Sequence, residues 1–367
     1  TDLKINYCQN KLYASTFGRG IWNVDIIKTE KTISGNVTWN QPVKLTGNLR
    51  ITNGSNLIVT SIVDIPENCK IIVENNAHLF LNGGTLTNSC GSMWNGVEVW
   101  GNATSSQPAG QGRFTVANNA LVENSKNGAY TIKIDEITGL QDMNTTGGII
   151  RCFNSTFKNN KTSVKLLPYS AYAFGNLSRF INVNFIVDAE LNDENEIPSE
   201  QVLLIGVRTI NFYGCTFENS RTQGSFPLSE RGTGIRSFSS TFKVLPYGTD
   251  ICEFRSMHRA INAASANPFS TFMVYKAKFE NNTRSILASG IDYSMILENE
   301  FIIPELQSLE APYGVYMNYC KDYEIENNTF SSTNANFNAG LAIYNSGDSP
   351  NRVYDNSFDN IYVGQLL

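Results

Sequence analysis

The sequence predicts an all-β protein, a right-handed parallel β-helix, and three observations support this prediction. A short phrase ending in Phe recurs through the second half of the chain, at spacings of 22 to 37 residues. The 45 Asn and 28 Gly residues favour tight turns, and Asn is unfavourable inside helices. Many Val, Ile, Phe, Tyr and Thr residues favour strands. Together these features indicate short strands joined by turns and wound into a solenoid.

The recurring phrase has a small residue or Asn two positions before the Phe in all but one instance. If each coil contributes one Phe at the same place, the rings point inward and stack, while insertions bulge outward. Asn299, Asn328 and Asn356 at the earlier position are expected to hydrogen-bond along the column as an internal ladder. The phenylalanines predicted to form the column are Phe157, Phe185, Phe217, Phe242, Phe279, Phe301, Phe330 and Phe358.

The stretch 33–101 has similar strands with fewer Phe residues, alternating apolar and polar with period two between Asn-Gly or Gly-Gly turns. Segments 103–112 and 188–201 are expected to project from the solenoid. The predicted organisation is an N-terminal unit over residues 1–27 and a β-helix over residues 33–367. Because solenoids need capped ends and both ends look cut, we expect a fragment of a longer protein, truncated at the C-terminus.

Composition excludes several classes of function. The net charge is −5, and no basic stripe suited to a phosphate backbone occurs, so nucleic acid is not an expected partner. No run of 18 apolar residues predicts a membrane span. No cofactor-binding motif was found, so no cofactor is expected.

The seven Cys residues lack the close pairs that hold zinc. Cys69 and Cys90 are 21 residues apart, close to one coil, so they are candidates for a disulfide between adjacent coils. The alternative is that they are buried, unpaired thiols that pack as small apolar groups.

Three successive phrases, Ile65–Val73, Leu79–Thr87 and Met93–Gly101, resemble the opening coils of secreted right-handed parallel β-helix proteins of Bacteroidetes-type bacteria. The string that contains Trp94 and Trp100 is the most specific part, and both Trp residues are assigned structural roles. The resemblance covers roughly residues 33 to 367. The segment Leu12–Trp22 is similar to the closing strands of the last blade in sialidase-like repeat β-propellers, and a capping hairpin is the alternative. Such families imply export by type IX secretion to the cell surface or the medium.

Right-handed β-helices include carbohydrate-active enzymes, so the sequence was searched for their sites. The Asn-Thr-Asp, Asp-Asp and His-Gly phrases of polygalacturonases are absent. A lyase needs a basic residue beside carboxylates, and the nearest candidate is the run Arg255 to Arg259, including His258, with Asp292 on a later coil. We interpret this run as outward-facing structure, and His78 as solvent-facing or locally bonded. Asp135 and Glu136 lack a third acidic ligand nearby for a cation.

The leading hypothesis is a non-catalytic adhesin or scaffold module with extracellular polysaccharide or cell-surface components as partners. Exposed Tyr residues are candidates for stacking on sugar rings, although several of the Tyr residues in question must belong to the core. Two alternatives stay open: a polysaccharide lyase or related enzyme acting on an acidic glycan, and a structural stalk or passenger of a secretion system. The Tyr candidates are Tyr169, Tyr172, Tyr316, Tyr319 and Tyr323.

Overall fold

The computed structural model describes residues 2–193, 196–221, 227–266, 270–305, 310–347 and 350–366, and it is a right-handed parallel β-helix. Each coil passes through three short strands, which lie on three faces. The described residues form twelve coils and the first strand of a thirteenth. Successive coils pair in parallel, so each side chain stacks on its equivalent one coil away.

The first face is a sheet of 13 parallel strands, one from each coil. Along each strand of this face, apolar side chains that point into the core alternate with polar or aromatic side chains that point outward. The strands are Lys31–Ile33, Leu49–Ile51, Lys70–Val73, Gly96–Val99, Asn127–Tyr130, Thr162–Leu166, Glu200–Ile205, Thr233–Phe238, Arg259–Ala264, Arg284–Ser289, Tyr313–Asn318, Ala339–Tyr344 and Val363–Leu366.

The second and third faces form one sheet of 22 strands, because the long strands Ile149–Lys158 and Arg179–Val187 take part in both faces. The other strands of the second face are Asn36–Trp39, Asn56–Val59, His78–Asn82, Arg113–Ala117, Ile210–Tyr213, Phe242–Leu245, Phe272–Tyr275, Met295–Leu297, Glu324–Glu326 and Arg352–Tyr354. Those of the third face are Val43–Lys44, Ile62–Asp64, Thr85–Thr87, Leu121–Glu123, Thr216–Asn219, Glu253–Arg255, Lys278–Glu280, Glu300–Ile302, Thr329–Ser331 and Ser357–Asp359.

The phenylalanine column lies on the inner side of the third face. Consecutive ring centroids are 4.6–5.5 Å apart along Phe157, Phe185, Phe217, Phe254, Phe279, Phe301, Phe330 and Phe358.

The assignment of Phe242 to this column was wrong. Phe242 lies on the second face and stacks on Phe272 with ring centroids 5.5 Å apart. Phe254 takes its place, 4.6 Å from Phe217 and 4.9 Å from Phe279. The phrase that ends in Phe254 has the same pattern, with Cys252 as the small residue. The segment 246–252 lengthens this coil between its second and third strands, so the ring of the column comes later in the sequence than the regular spacing predicts.

The asparagine ladder runs beside the last three rings of the column. The Asn328 Oδ1 accepts hydrogen bonds from the backbone N–H and Nδ2 of Asn299, at 3.0 and 2.9 Å. The Asn356 Oδ1 accepts the same pair from Asn328, at 3.0 and 2.9 Å. Asn299 and Asn328 are 2% and 0% exposed, so these side chains satisfy backbone groups that would otherwise be buried without partners.

The N-terminal residues form a separate antiparallel sheet of three strands, Asp2–Asn6, Lys11–Thr16 and Gly20–Asp25. A disulfide between Cys8 and Cys90 attaches this sheet to the third coil. The candidate pair Cys69 and Cys90 is therefore wrong, and Cys69 is a buried free thiol. Cys69 precedes a strand of the first face, while Cys90 follows a strand of the third face, so a spacing of 21 residues does not bring them into register.

The segment 131–148 lies outside the coils, beside the first face. It contains the short antiparallel strands Lys133–Ile134 and Gln141–Asp142 and the 3-10 helix Met143–Thr145. A second 3-10 helix, Leu228–Arg231, precedes the first-face strand Thr233–Phe238. Trp94 is fully buried between coils, where its Nε1 donates a hydrogen bond to the carbonyl oxygen of Glu123 at 2.7 Å.

Candidate functional site

A polar cleft of about 520 Å³ lies on the outer side of the first face, beneath the projecting segment 131–148. Turns at the start of successive strands place four side-chain amides around it. The backbone of Gly139 and the side chains of Asp135 and Glu136 form its outer lip. The four amides are those of Asn48, Asn68, Asn95 and Asn127.

A buried charged network forms the base of the cleft. Lys70 Nζ lies 2.9 Å from Glu98 Oε2, and the Tyr130 hydroxyl donates to the same oxygen at 2.9 Å. The Trp100 Nε1 donates to Glu98 Oε1 at 2.6 Å. Glu98 is 0% exposed. Burial and the Glu98 charge raise the pKa of Tyr130 well above its ordinary value, which keeps the hydroxyl protonated as a donor.

Lys70 has two further partners: it donates to the carbonyl oxygen of Ile134 at 3.2 Å and lies 3.4 Å from Glu136. The charges of this network are therefore paired within it. A buried carboxylate with three donors and a buried ammonium with matched acceptors form a fixed structural unit. Neither group is presented to the cleft as a base or acid with an open hydrogen-bond position.

Asn127 is an amide of the cleft with a buried acceptor that is not used. Its Oδ1 has no hydrogen-bond partner among the described residues. Asn48, by contrast, uses both groups: its Oδ1 accepts from the Lys70 backbone N–H, and its Nδ2 donates to Glu136. A buried acceptor without a partner is costly, so a rotation of the Asn127 amide that brings its Oδ1 to a ligand hydroxyl would be stabilising.

Asp135 shapes the lip of the cleft. Its Oδ1 accepts hydrogen bonds from the backbone N–H groups of Ile137 and Thr138 and from the Thr138 hydroxyl, and these bonds lower the pKa of the carboxyl. This carboxylate is therefore committed to its own turn. Over the ranges that the structure describes, no group of three His, Cys, Asp or Glu side chains is arranged to hold a metal ion.

The lyase-like run is divided between two faces. Arg255 lies on the third face and pairs with Glu253 at 2.8 Å. His258 and Arg259 lie at the start of a first-face strand, where His258 Nε2 is 3.1 Å from a carboxylate oxygen of Glu310. Asp292 follows the far end of the strand Arg284–Ser289. The structure therefore does not bring these residues together as a base with carboxylates.

A pair of arginines occupies the outer side of the first face instead. Arg259 and Arg284 are register partners on adjacent strands, and Tyr313 is the next member of the row. Arg284 lies 3.3 Å from Glu310 and with its guanidinium 5.7 Å from the centre of the Tyr313 ring. Burial lowers the pKa of His258, which favours its neutral form, although the hydrogen bond with Glu310 opposes this effect. That bond also lowers the pKa of Glu310.

The tyrosine candidates separate into two groups. Tyr169 and Tyr323 are buried, so they are the members of the set that belong to the core and are not available to sugars. Tyr172 and Tyr316 are half-buried, and Tyr319 is exposed. His78 is half-buried on the second face, with its Nε2 2.9 Å from the Thr115 hydroxyl.

Sequence reasoning did not identify Lys70, Glu98 and Tyr130 as a unit. The available signal was a charged residue within each of two apolar strings, Cys69 to Val73 and Val97 to Val99. A charge between buried positions suggests a paired, buried ion.

A comparison with known protein families finds a match. A family described as periplasmic copper-binding protein (NosD) matches residues 250–364. Copper favours clustered His, Cys and Met ligands, whereas the described residues hold no group of three His, Cys, Asp or Glu side chains that could bind a metal ion. No curated protein matches the sequence. Among the described residues, no helix is long and apolar enough to cross a membrane.

Several solved structures are similar to the chain, among them the following two. A crystal structure of PfbA, a surface adhesin of Streptococcus pneumoniae, is 11% identical, with a TM-score of 0.39, over 88% of this chain and 85% of that one. A variant of the periplasmic alginate epimerase AlgG is 8% identical, with a TM-score of 0.27, over 84% of this chain and 79% of that one.

Proposed function

We propose that this chain is a non-catalytic module of an exported protein, an adhesin or scaffold that binds carbohydrate in the polar cleft. The observation that carries the proposal is the amide-lined cleft with the buried, unpartnered Asn127 Oδ1. Sugar hydroxyls both donate and accept hydrogen bonds, and fixed side-chain amides are complementary to them. The proposal includes the secreted or surface-exposed location and the type IX export route that the resemblance implies.

Two further observations support it. The disulfide between Cys8 and Cys90 fits an oxidising compartment outside the cytoplasm. The ionisable groups at the base of the cleft, Lys70 and Glu98, are bonded to each other and to neighbouring groups. General acid–base catalysis needs a group within hydrogen-bond reach of the substrate proton, and this network has no such open position.

Binding of the purified chain to an array of neutral glycans tests the proposal. We expect Asn127→Ala to weaken binding of the captured glycan by about tenfold, because one hydrogen bond to a buried acceptor is lost. Asn36→Ala is the matched control, since Asn36 is an exposed amide on the second face. Equal binding by wild type and Asn127→Ala would reject the cleft as the site.

Two further measurements on the same purified protein distinguish the alternative functions. A rise in ultraviolet absorbance when the wild type is mixed with uronate polymers would show lyase activity and contradict the non-catalytic proposal. Absence of binding to every glycan on the array would instead favour the stalk or passenger role.

A further inference from the structure

We propose a second binding site on the first face, in which Arg259, Arg284 and a row of tyrosines bind an acidic polysaccharide through its carboxylates and sugar rings. The inference rests on the proposed function only in taking glycan as the ligand. The second site consists of different residues, and its ligand is acidic, whereas the ligand proposed for the cleft is a neutral glycan.

The first step is the charge of the arginine pair. Register places Arg259 and Arg284 on neighbouring strands, about 4.8 Å apart at the backbone. No ion pair to Arg259 is found among the described residues, and the Nε atoms of both arginines are buried without a hydrogen-bond acceptor. Two adjacent guanidinium groups repel each other, and the single Glu310 carboxylate offsets only part of their charge. A carboxylate accepts two parallel hydrogen bonds from a guanidinium, which makes it a matching ligand.

One carboxylate lies beside the arginine pair. Glu310 is engaged by His258 at 3.1 Å and by Arg284 at 3.3 Å, and its charge also acts on Arg259. Glu200, on the same face, is 2.7 Å from Arg236. Glu310 is therefore shared among several cationic groups, and Arg259 has no ion pair of its own among the described residues.

The second step is the aromatic row that continues from the arginines. Tyr313 and Tyr316 have ring centroids 5.5 Å apart, and Tyr316 and Tyr344 are 5.3 Å apart. Tyr344 is 40% exposed at the end of the row. Tyrosine rings pack on the apolar faces of sugars, and their hydroxyl groups hydrogen-bond at the rim. Guanidinium groups beside such rings favour a polymer that carries both sugar rings and carboxylates over a small free anion.

The third step is the position of the two sites on one rigid sheet. The strand Asn127–Tyr130 at the cleft and the strand Arg259–Ala264 are four strands apart, or about 19 Å at the spacing of parallel strands. Both sites lie at the N-terminal ends of first-face strands and point outward. One extended glycan that carries both neutral and acidic sugar units could therefore contact both sites, which would add avidity without a hinge.

Titration calorimetry with polygalacturonate oligosaccharides tests the inference. We expect the wild type to bind, and Arg259→Gln combined with Arg284→Gln to weaken binding by at least tenfold, because charge-assisted hydrogen bonds are lost. Arg236→Gln is the matched control, because Arg236 lies on the same face and is paired with Glu200. Arg259→Lys keeps the charge but not the two-pronged geometry, and it should lie between wild type and the double variant. Circular dichroism and the melting temperature of each variant check that the fold is intact.

The results distinguish failure of the inference from failure of the proposed function. Unchanged polygalacturonate affinity in the folded double variant, or no binding by the wild type, overturns the inference even if neutral glycans still bind the cleft. Equal affinity for single-stranded DNA would show a general polyanion surface and would also overturn it. Loss of acidic-glycan binding in the double variant, with neutral binding unchanged, supports both sites separately.

Discussion

The early and late coils fill the same internal column with different side chains. In the first four coils, the column consists of Val43, Val63, Leu86 and Val122, in register with one another. From Phe157 onward every coil described contributes a phenylalanine at this position. The column is therefore continuous in space, although its chemistry changes from aliphatic to aromatic.

On the first face, which lies opposite the column, two glycines lie against rings of the late coils. A Cβ added to Gly314 would lie 2.7 Å from ring carbons of Phe330, and one added to Gly340 would lie 2.6 Å from Phe358. Any larger residue at these two positions would therefore collide with the column. The comparison shows that the same internal position accepts aliphatic or aromatic side chains when the residues around it leave the room.

The largest expected effect is in the aromatic region. Phe279→Ala removes a fully buried ring between two stacked neighbours and should lower the free energy of unfolding by about 3–5 kcal/mol. Val63→Ala, at the equivalent aliphatic position, should cost about 2 kcal/mol because less apolar volume is lost. Urea unfolding followed by circular dichroism measures both variants.

The positions of the tryptophans sharpen this test. All 4 Trp residues lie within the first hundred positions, so Trp fluorescence reports on the early coils. Solenoid coils depend mainly on their neighbours. We therefore expect Phe279→Ala to shift the urea midpoint further from the wild-type value when unfolding is followed by circular dichroism than when it is followed by Trp fluorescence. Coincident shifts would show instead that early and late coils unfold as one unit.

An intermediate effect is expected in the asparagine ladder, which is present only in the late part of the described column. Asn328→Leu keeps the approximate volume but removes the acceptor for the Asn299 backbone N–H and the donor to the Ile296 carbonyl. Unsatisfied buried groups should lower stability by about 1–3 kcal/mol. The early coils have an exposed amide pair, Asn36 and Asn56, and Asn36→Ala should change stability by about 0.5 kcal/mol or less. A similar loss in both variants would contradict the importance of burial.

The last effect depends on pH and concerns the early coils. Burial, followed by the charges of Arg113 and Arg151, lowers the pKa of His78 to about 4. Because this lies below the unfolded value of about 6.5, protonation opposes folding. The contribution is complete above about pH 6.5 and is lost as the pH falls toward 4. His78→Gln should therefore flatten the melting temperature over this window, and an unchanged pH profile would exclude His78 as the cause.

The sequence predicted the fold because one side-chain type recurs in every coil from Phe157 onward, a signal that survives variable insertions. It failed at Phe242, because this lengthened coil contains two candidate rings, Phe242 and Phe254. Only the pairing of the strands shows which of them belongs to the column. It also failed for Cys90, whose partner Cys8 lies 82 residues away on another sheet. The cleft was missed because its amides come from separate coils, and an Asn at a turn looks the same whether it caps a turn or lines a site.

The stacking of equivalent coils also bears on how such a protein can change its length. Duplication or loss of one whole coil between Val202 and Ile235 would shift the cleft and the arginine pair relative to each other by about 4.8 Å, without altering either site. A single-residue insertion within a strand would instead turn core side chains toward solvent. During evolution of the chain, the distance between the two sites can therefore change in steps of one coil, about 4.8 Å each.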